Sequence, residues 1–143
     1  SYENLFKLCS FLKVPHAQME ELFKRMVFNL VYGNTDDHLK NHSFIYDQQH
    51  DSWQLSPAYD MTYALNPLIN FKKTQRALSI NGKRNNIELK DIYKLADEFT
   101  VKNPEGVVKT VFSYKEELIA LFGEYDVPAL VTEKINESII ELI

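Results

Sequence analysis

Glycine is scarce in this chain. Four glycines among 143 residues, at positions 33, 82, 106 and 123, form no G-x-G-x-x-G segment and no Walker A loop, so the chain supplies no glycine-rich cradle for phosphates. A single cysteine, Cys9, excludes an intramolecular disulfide, and its apolar neighbours point to a buried thiol rather than a reactive one. No apolar run approaches the roughly 18 residues of a membrane span, and no signal-peptide pattern is visible, which makes the cytoplasm the expected compartment. An excess of positive charge is also missing. The formal charge of -4 argues against strong direct nucleic-acid binding, although Lys72, Lys73, Arg76, Lys83 and Arg84 could form a local basic patch that meets phosphates. Internal repeats, low-complexity tracts and coiled-coil heptads are absent.

What is present is material for one core. A hydrophobic content of 45% over 143 residues is expected to give a single domain, residues 1–143. Leu5, Phe6, Leu8 and Leu12 read as a helix already in progress. Pro15 can occupy the first turn of a second helix, in which Met19, Leu22, Phe23, Met26, Val27, Leu30 and Val31 recur at three- and four-residue steps. That helix should stop at Gly33 and deliver Asn34 to Asn41 as an anchored loop. Ser43 to Tyr46 and Trp53 to Leu55 read as a hairpin, and Ala77 to Ile80 as a strand leading into an Asn81-Gly82 turn. Asn66-Pro67 and the polar run from Asn70 to Gln75 read as an irregular loop. The remainder is expected to be helical: Leu89, Ile92, Tyr93, Leu95, Ala96 and Phe99 share one face, and Asn103-Pro104 starts a helix running to about Phe122. Asp126 and Pro128 start a last helix that buries Leu130, Val131, Ile135, Ile139, Ile140 and Leu142.

The chemistry is concentrated between these elements. Gly33-Asn34-Thr35-Asp36-Asp37-His38-Leu39-Lys40-Asn41, followed by Pro57-Ala58-Tyr59-Asp60, supplies two carboxylates and an amide in the order phosphoryl transfer requires. The interval from Asp36 to Asn41 equals the Asp-to-Asn interval of the H-R-D-L-x-x-x-N loop, so one tight loop can aim both side chains at one phosphate. At these motifs the chain resembles the HipA-like serine/threonine kinases of bacterial toxin-antitoxin systems, whose catalytic segment has the form G-x-T-D-x-H-x-K-N and whose metal-binding Asp lies in P-x-Y-D.

The resemblance implies a mainly α fold with a small β component, the C-terminal helical lobe of a kinase-like protein. It implies Asp36 as the base that takes the acceptor hydroxyl proton, Asn41 and Asp60 as Mg²⁺ ligands, and Lys40 as a contact to the transferring phosphate of ATP. His38 is expected to hold the loop by bonding backbone, with a catalytic-acid role as the alternative, and Asp37 to be a solvated neighbour. His38 and His42, four apart, could suggest a zinc pair, but the loop-like segment argues against it. The implied partners are a protein substrate, a DNA-binding antitoxin and an N-terminal lobe carrying the glycine-rich loop and strand lysine. The chain, opening at Ser1-Tyr2-Glu3, is accordingly expected to be a fragment with little or no turnover alone. A small-molecule phosphotransferase and a non-catalytic partner-binding module, built on the helical tail from Glu88 to Ile143, are the two other readings.

Overall fold

The apolar stripe that runs from Met19 to Val31 forms the central helix of the computed structural model, which describes residues 1–64 and 75–139. This helix, α2 (His16–Val31), buries every residue of the stripe and also Asn29, and Pro15, expected in its first turn, stands just before it as the N-cap. Before it, α1 (Tyr2–Phe11) starts where the Ser1 hydroxyl accepts the Asn4 N–H at 3.3 Å. It buries Tyr2, Leu5, Phe6 and Cys9, while Leu8 is 39% exposed.

The hairpin consists of β1 (Phe44–Asp47) and β2 (Ser52–Leu55), antiparallel with Phe44 opposite Leu55 and Tyr46 opposite Trp53. Its Tyr46 and Trp53 rings lie 5.1 Å apart, and the Gln18 side chain of α2 accepts the Leu55 N–H at 2.6 Å. The hairpin is thereby fastened to the helix that ends in the Asn34 to Asn41 loop.

Four further helices follow: α3 (Leu89–Glu98), α4 (Pro104–Ser113), α5 (Lys115–Glu124) and α6 (Ala129–Ser138). Residues from α1 to α4 join Leu78 and Ile80 in one hydrophobic core, so the fold is mainly helical with a small two-stranded sheet.

Four expectations are corrected. Ala77 to Ile80 form no strand: the Ala77 N–H goes to the Thr35 carbonyl, the Ser79 carbonyl accepts from Tyr2, and Ile80 pairs with Lys83 alone. That single pairing closes the Asn81-Gly82 turn, whose positive φ values of 50° and 75° suit a two-residue hairpin loop. The helix expected from Pro104 to Phe122 is divided at Tyr114. There the Tyr32 hydroxyl donates to the Val111 carbonyl at 2.7 Å, an acceptor an unbroken helix would give to the amide of Lys115. Pro128 precedes the first turn of α6 instead of occupying it, and Leu130 is 67% exposed; α6 buries Ile135, and Ile139, just past its end, packs against the core. Asn66-Pro67, residues 70–74 of the polar run, Ile140 and Leu142 lie outside the described residues.

Candidate active site

Gly33 turns the chain out of α2 with φ 73°, a left-handed conformation that a residue without Cβ adopts freely. The loop then secures itself through backbone bonds: Thr35 N–H to Gly33 O at 2.9 Å, His38 N–H to Asp36 O at 2.8 Å and Asn41 N–H to His38 O at 2.9 Å. A single 3-10 turn, Leu39–Asn41, ends it.

Within this loop Asp36 is exposed, and its carboxylate has no partner among the described residues. The Asn41 amide nitrogen donates to the Asp36 carbonyl at 3.1 Å, which leaves the amide oxygen as the free end of the side chain. The returning segment is pinned to the loop by the Tyr59 hydroxyl, which donates to the Lys40 carbonyl at 2.8 Å, and by the Asn34 amide, which donates to the Asp60 carbonyl at 3.3 Å. Asn41 and Asp60 consequently line one narrow cleft with Asn34, His42 and Tyr59. Asp36 is not among the residues lining it and connects to it through the Asn41 amide. The Lys40 side chain is exposed and its ammonium unpaired among the described residues.

Asp37 is the opposite of a solvated neighbour. It is 1% exposed, accepts from the Tyr2 hydroxyl at 2.6 Å and pairs with Arg76 at 2.8 Å. Arg76 is equally buried and donates to the carbonyls of Asn29 at 3.3 Å and Asn34 at 2.9 Å. The expected basic patch therefore does not form among the described residues: Arg76 is internal, Lys83 is bound to Asp91 at 2.8 Å, and Lys72 and Lys73 lie outside them. Burial, with the Asp37 charge added, raises the Tyr2 hydroxyl well above its ordinary pKa. Burial likewise lowers His42, against the pull of Asp37, and favours its neutral form.

The His38 ring does not hold the loop as expected. Its Nδ1 is buried without a partner among the described residues, and the backbone bonds above do that work. Nor do His38 and His42 gather a zinc site, since no cluster of three or more His, Cys, Asp or Glu exists among the described residues. An Asn oxygen and one carboxylate are hard oxygen donors, however, and suit Mg²⁺, which takes one or two protein oxygens and completes its shell with phosphate and water. Tyr2 and Asn29 were not singled out from sequence, and Arg76 and Asn34 were named only in a basic patch and in the motif, without their buried roles. Asn29 carried a signal, as a polar residue on the apolar stripe of α2.

Comparison with known proteins agrees with the motifs. The HipA-like C-terminal domain profile matches residues 1–119. A protein named "Putative kinase Y4dM" from Sinorhizobium fredii is 33% identical over 77 residues, 49% of this chain and 19% of that protein. A "Putative kinase" from Haemophilus influenzae is 39% identical over 61 residues, 42% of this chain and 18% of that protein. The matched stretches thus span about a fifth of each relative's length.

Proposed function

Because the chain belongs to the HipA-like C-terminal domain family, a kinase-like family by the names of its relatives, we propose that it is the catalytic lobe of an ATP-dependent serine/threonine protein kinase. One observation carries the reading: Asn41 and Asp60 share a cleft with their oxygens available, while the adjoining Asp36 carboxylate stands exposed and unpaired among the described residues.

Each residue then has a chemical task. Asp36 orients the acceptor hydroxyl and takes its proton as the oxygen attacks the γ-phosphorus of ATP, whose bond to the β,γ-bridging oxygen breaks to release ADP. Asn41 and Asp60 would hold Mg²⁺, which when bound neutralises charge on the phosphates. Lys40 can approach the same phosphates from solvent and stabilise the charge that builds on them. His38 is the alternative proton donor, through Nε2, since its Nδ1 is buried. The glycine-rich loop and strand lysine that a kinase also needs are assigned to an N-terminal lobe, and a DNA-binding antitoxin in the cytoplasm is the proposed regulatory partner of a toxin kinase.

Transfer of label from γ-labelled ATP to protein serine or threonine by the intact protein tests the reading. Asp36→Asn should reduce transfer by about 10²-fold or more, the usual contribution of a positioned base, while nucleotide binding is largely kept. Equal rates in the two proteins would reject Asp36 as the base. Label appearing only on a small-molecule acceptor would move the assignment to the phosphotransferase reading.

A further inference from the structure

Residues 34–37 of the loop grip both flanks of the segment that runs from Asp60 to Arg76. On one side the Asn34 amide donates to the Asp60 carbonyl at 3.3 Å. On the other, Arg76 reaches the Asn34 carbonyl at 2.9 Å and the Asp37 carboxylate at 2.8 Å, and the Ala77 N–H donates to the Thr35 carbonyl at 2.9 Å. Asn34 is only 3% exposed and is itself fixed from within, because its amide also donates to Asn29 Oδ1 at 3.0 Å. Asn29 in turn donates to the Tyr2 hydroxyl at 3.2 Å, and that hydroxyl donates to Asp37. Asp60 benefits from such support: its φ of 53° is left-handed, a conformation that Asp adopts more readily than most residues but that a held carbonyl helps to fix.

We propose that Asn34 is a positioning residue for Asp60, holding the carbonyl of its left-handed backbone so that the residue stays at the cleft it lines with Asn41. The inference rests on reading Asp60 as the metal-binding carboxylate. Asn34 acts through Asp60, as outer partners of metal ligands do, and loss of such partners commonly weakens metal binding by about 10- to 100-fold.

The test compares Asn34→Leu, close in volume but without donors, and Asn34→Ser, which carries the comparison where the first does not fold, with Tyr2→Phe in the intact protein. Tyr2→Phe disturbs the same buried network but leaves the bond from Asn34 to Asp60. Mn²⁺ binding in the presence of ATP is read by electron paramagnetic resonance, amide hydrogen exchange at residues 60–64 by mass spectrometry, and Tm by calorimetry. The Asn34 variants should raise the Mn²⁺ concentration for half-saturation about tenfold or more and speed exchange at 60–64. Tyr2→Phe should lower Tm with half-saturation unchanged. Unchanged half-saturation and exchange in the Asn34 variants, or an equal Mn²⁺ shift in Tyr2→Phe at equal loss of Tm, would overturn the proposal. A wild-type protein that binds no Mn²⁺ with ATP, while the variants still exchange faster at 60–64, would instead overturn the metal role of Asp60 and with it the kinase reading.

Discussion

Asp36 and Asp37 are adjacent in sequence and opposite in environment, and their substitutions should separate function from stability. Asp37→Asn removes the charge that compensates buried Arg76, so it should cost about 3–5 kcal/mol, measured by urea denaturation. Asp36→Asn should change stability by less than about 0.5 kcal/mol, because the exposed carboxylate has no partner among the described residues. A second buried carboxylate gives a pH signature. Burial opposes the charge of Asp91, but Lys83, the Glu88 amide and Asn81 outweigh it and hold the carboxyl down at about 2. That folded value lies below the ordinary carboxylate range, so the stabilisation is complete above about pH 4 and is lost as pH falls toward 2. Asp91→Asn should therefore flatten the acid limb of stability against pH between those values. The family motif was legible from sequence because its order and spacing are local, from Asp36 to Asn41 and on to Asp60. Asp37 was not, since its partners Tyr2 and Arg76 are 35 and 39 residues away and nothing local distinguishes it from Asp36.

Helix starts illustrate how far local chemistry carries at the scale of elements. Asn103-Pro104 reads as a start, and Asn103 does accept the Gly106 N–H at 3.1 Å while holding φ 49° itself. Asn103→Ala should cost about 1–2 kcal/mol, from the lost cap and a left-handed alanine. Gly106 makes the cap possible, because a Cβ there would collide with the Asn103 side chain. Gly106→Ala should consequently gain almost nothing in the natural chain, its helix propensity offset by the damaged cap. In the Asn103→Ala background it should stabilise by up to about 1 kcal/mol. Thermal melts of the four proteins check this coupling, and additive effects would contradict it. The division between α4 and α5 was illegible for a different reason. No proline or glycine marks Tyr114, and the hydroxyl that takes the Val111 carbonyl belongs to Tyr32, on another helix end. The same holds for Ala77 to Ile80, whose alternation suits a strand but whose backbone partners are a loop and the start of α1.

For the molecule as a whole, one core unites the first four helices with Leu78 and Ile80, so residues 1–143 alone should melt cooperatively with a largely helical far-ultraviolet spectrum. A broad melt with little helix would mean that this core does not suffice. Leu8 and Phe11 on α1 and Leu39 in the Asn34 to Asn41 loop are exposed at 39%, 82% and 50%, and they are where the proposed N-terminal lobe would have apolar surface to cover. The core and the stripe that fills it follow from periodicity, which is why the main helices could be read without a structure. Convergence of the loop and the Tyr59-Asp60 segment depends instead on tertiary bonds from Tyr59 and Asn34. That convergence is the centre of the account. It is tested most directly by an anomalous-scattering map of the intact protein crystallised with Mn²⁺ and a non-hydrolysable ATP analogue. The account predicts a metal peak at coordination distance, about 2.0–2.2 Å, from Asn41 Oδ1 and the Asp60 carboxylate, with the γ-phosphate facing Asp36. A metal-nucleotide bound elsewhere, or one seated in the cleft with Asp36 turned away from the γ-phosphate, would contradict it.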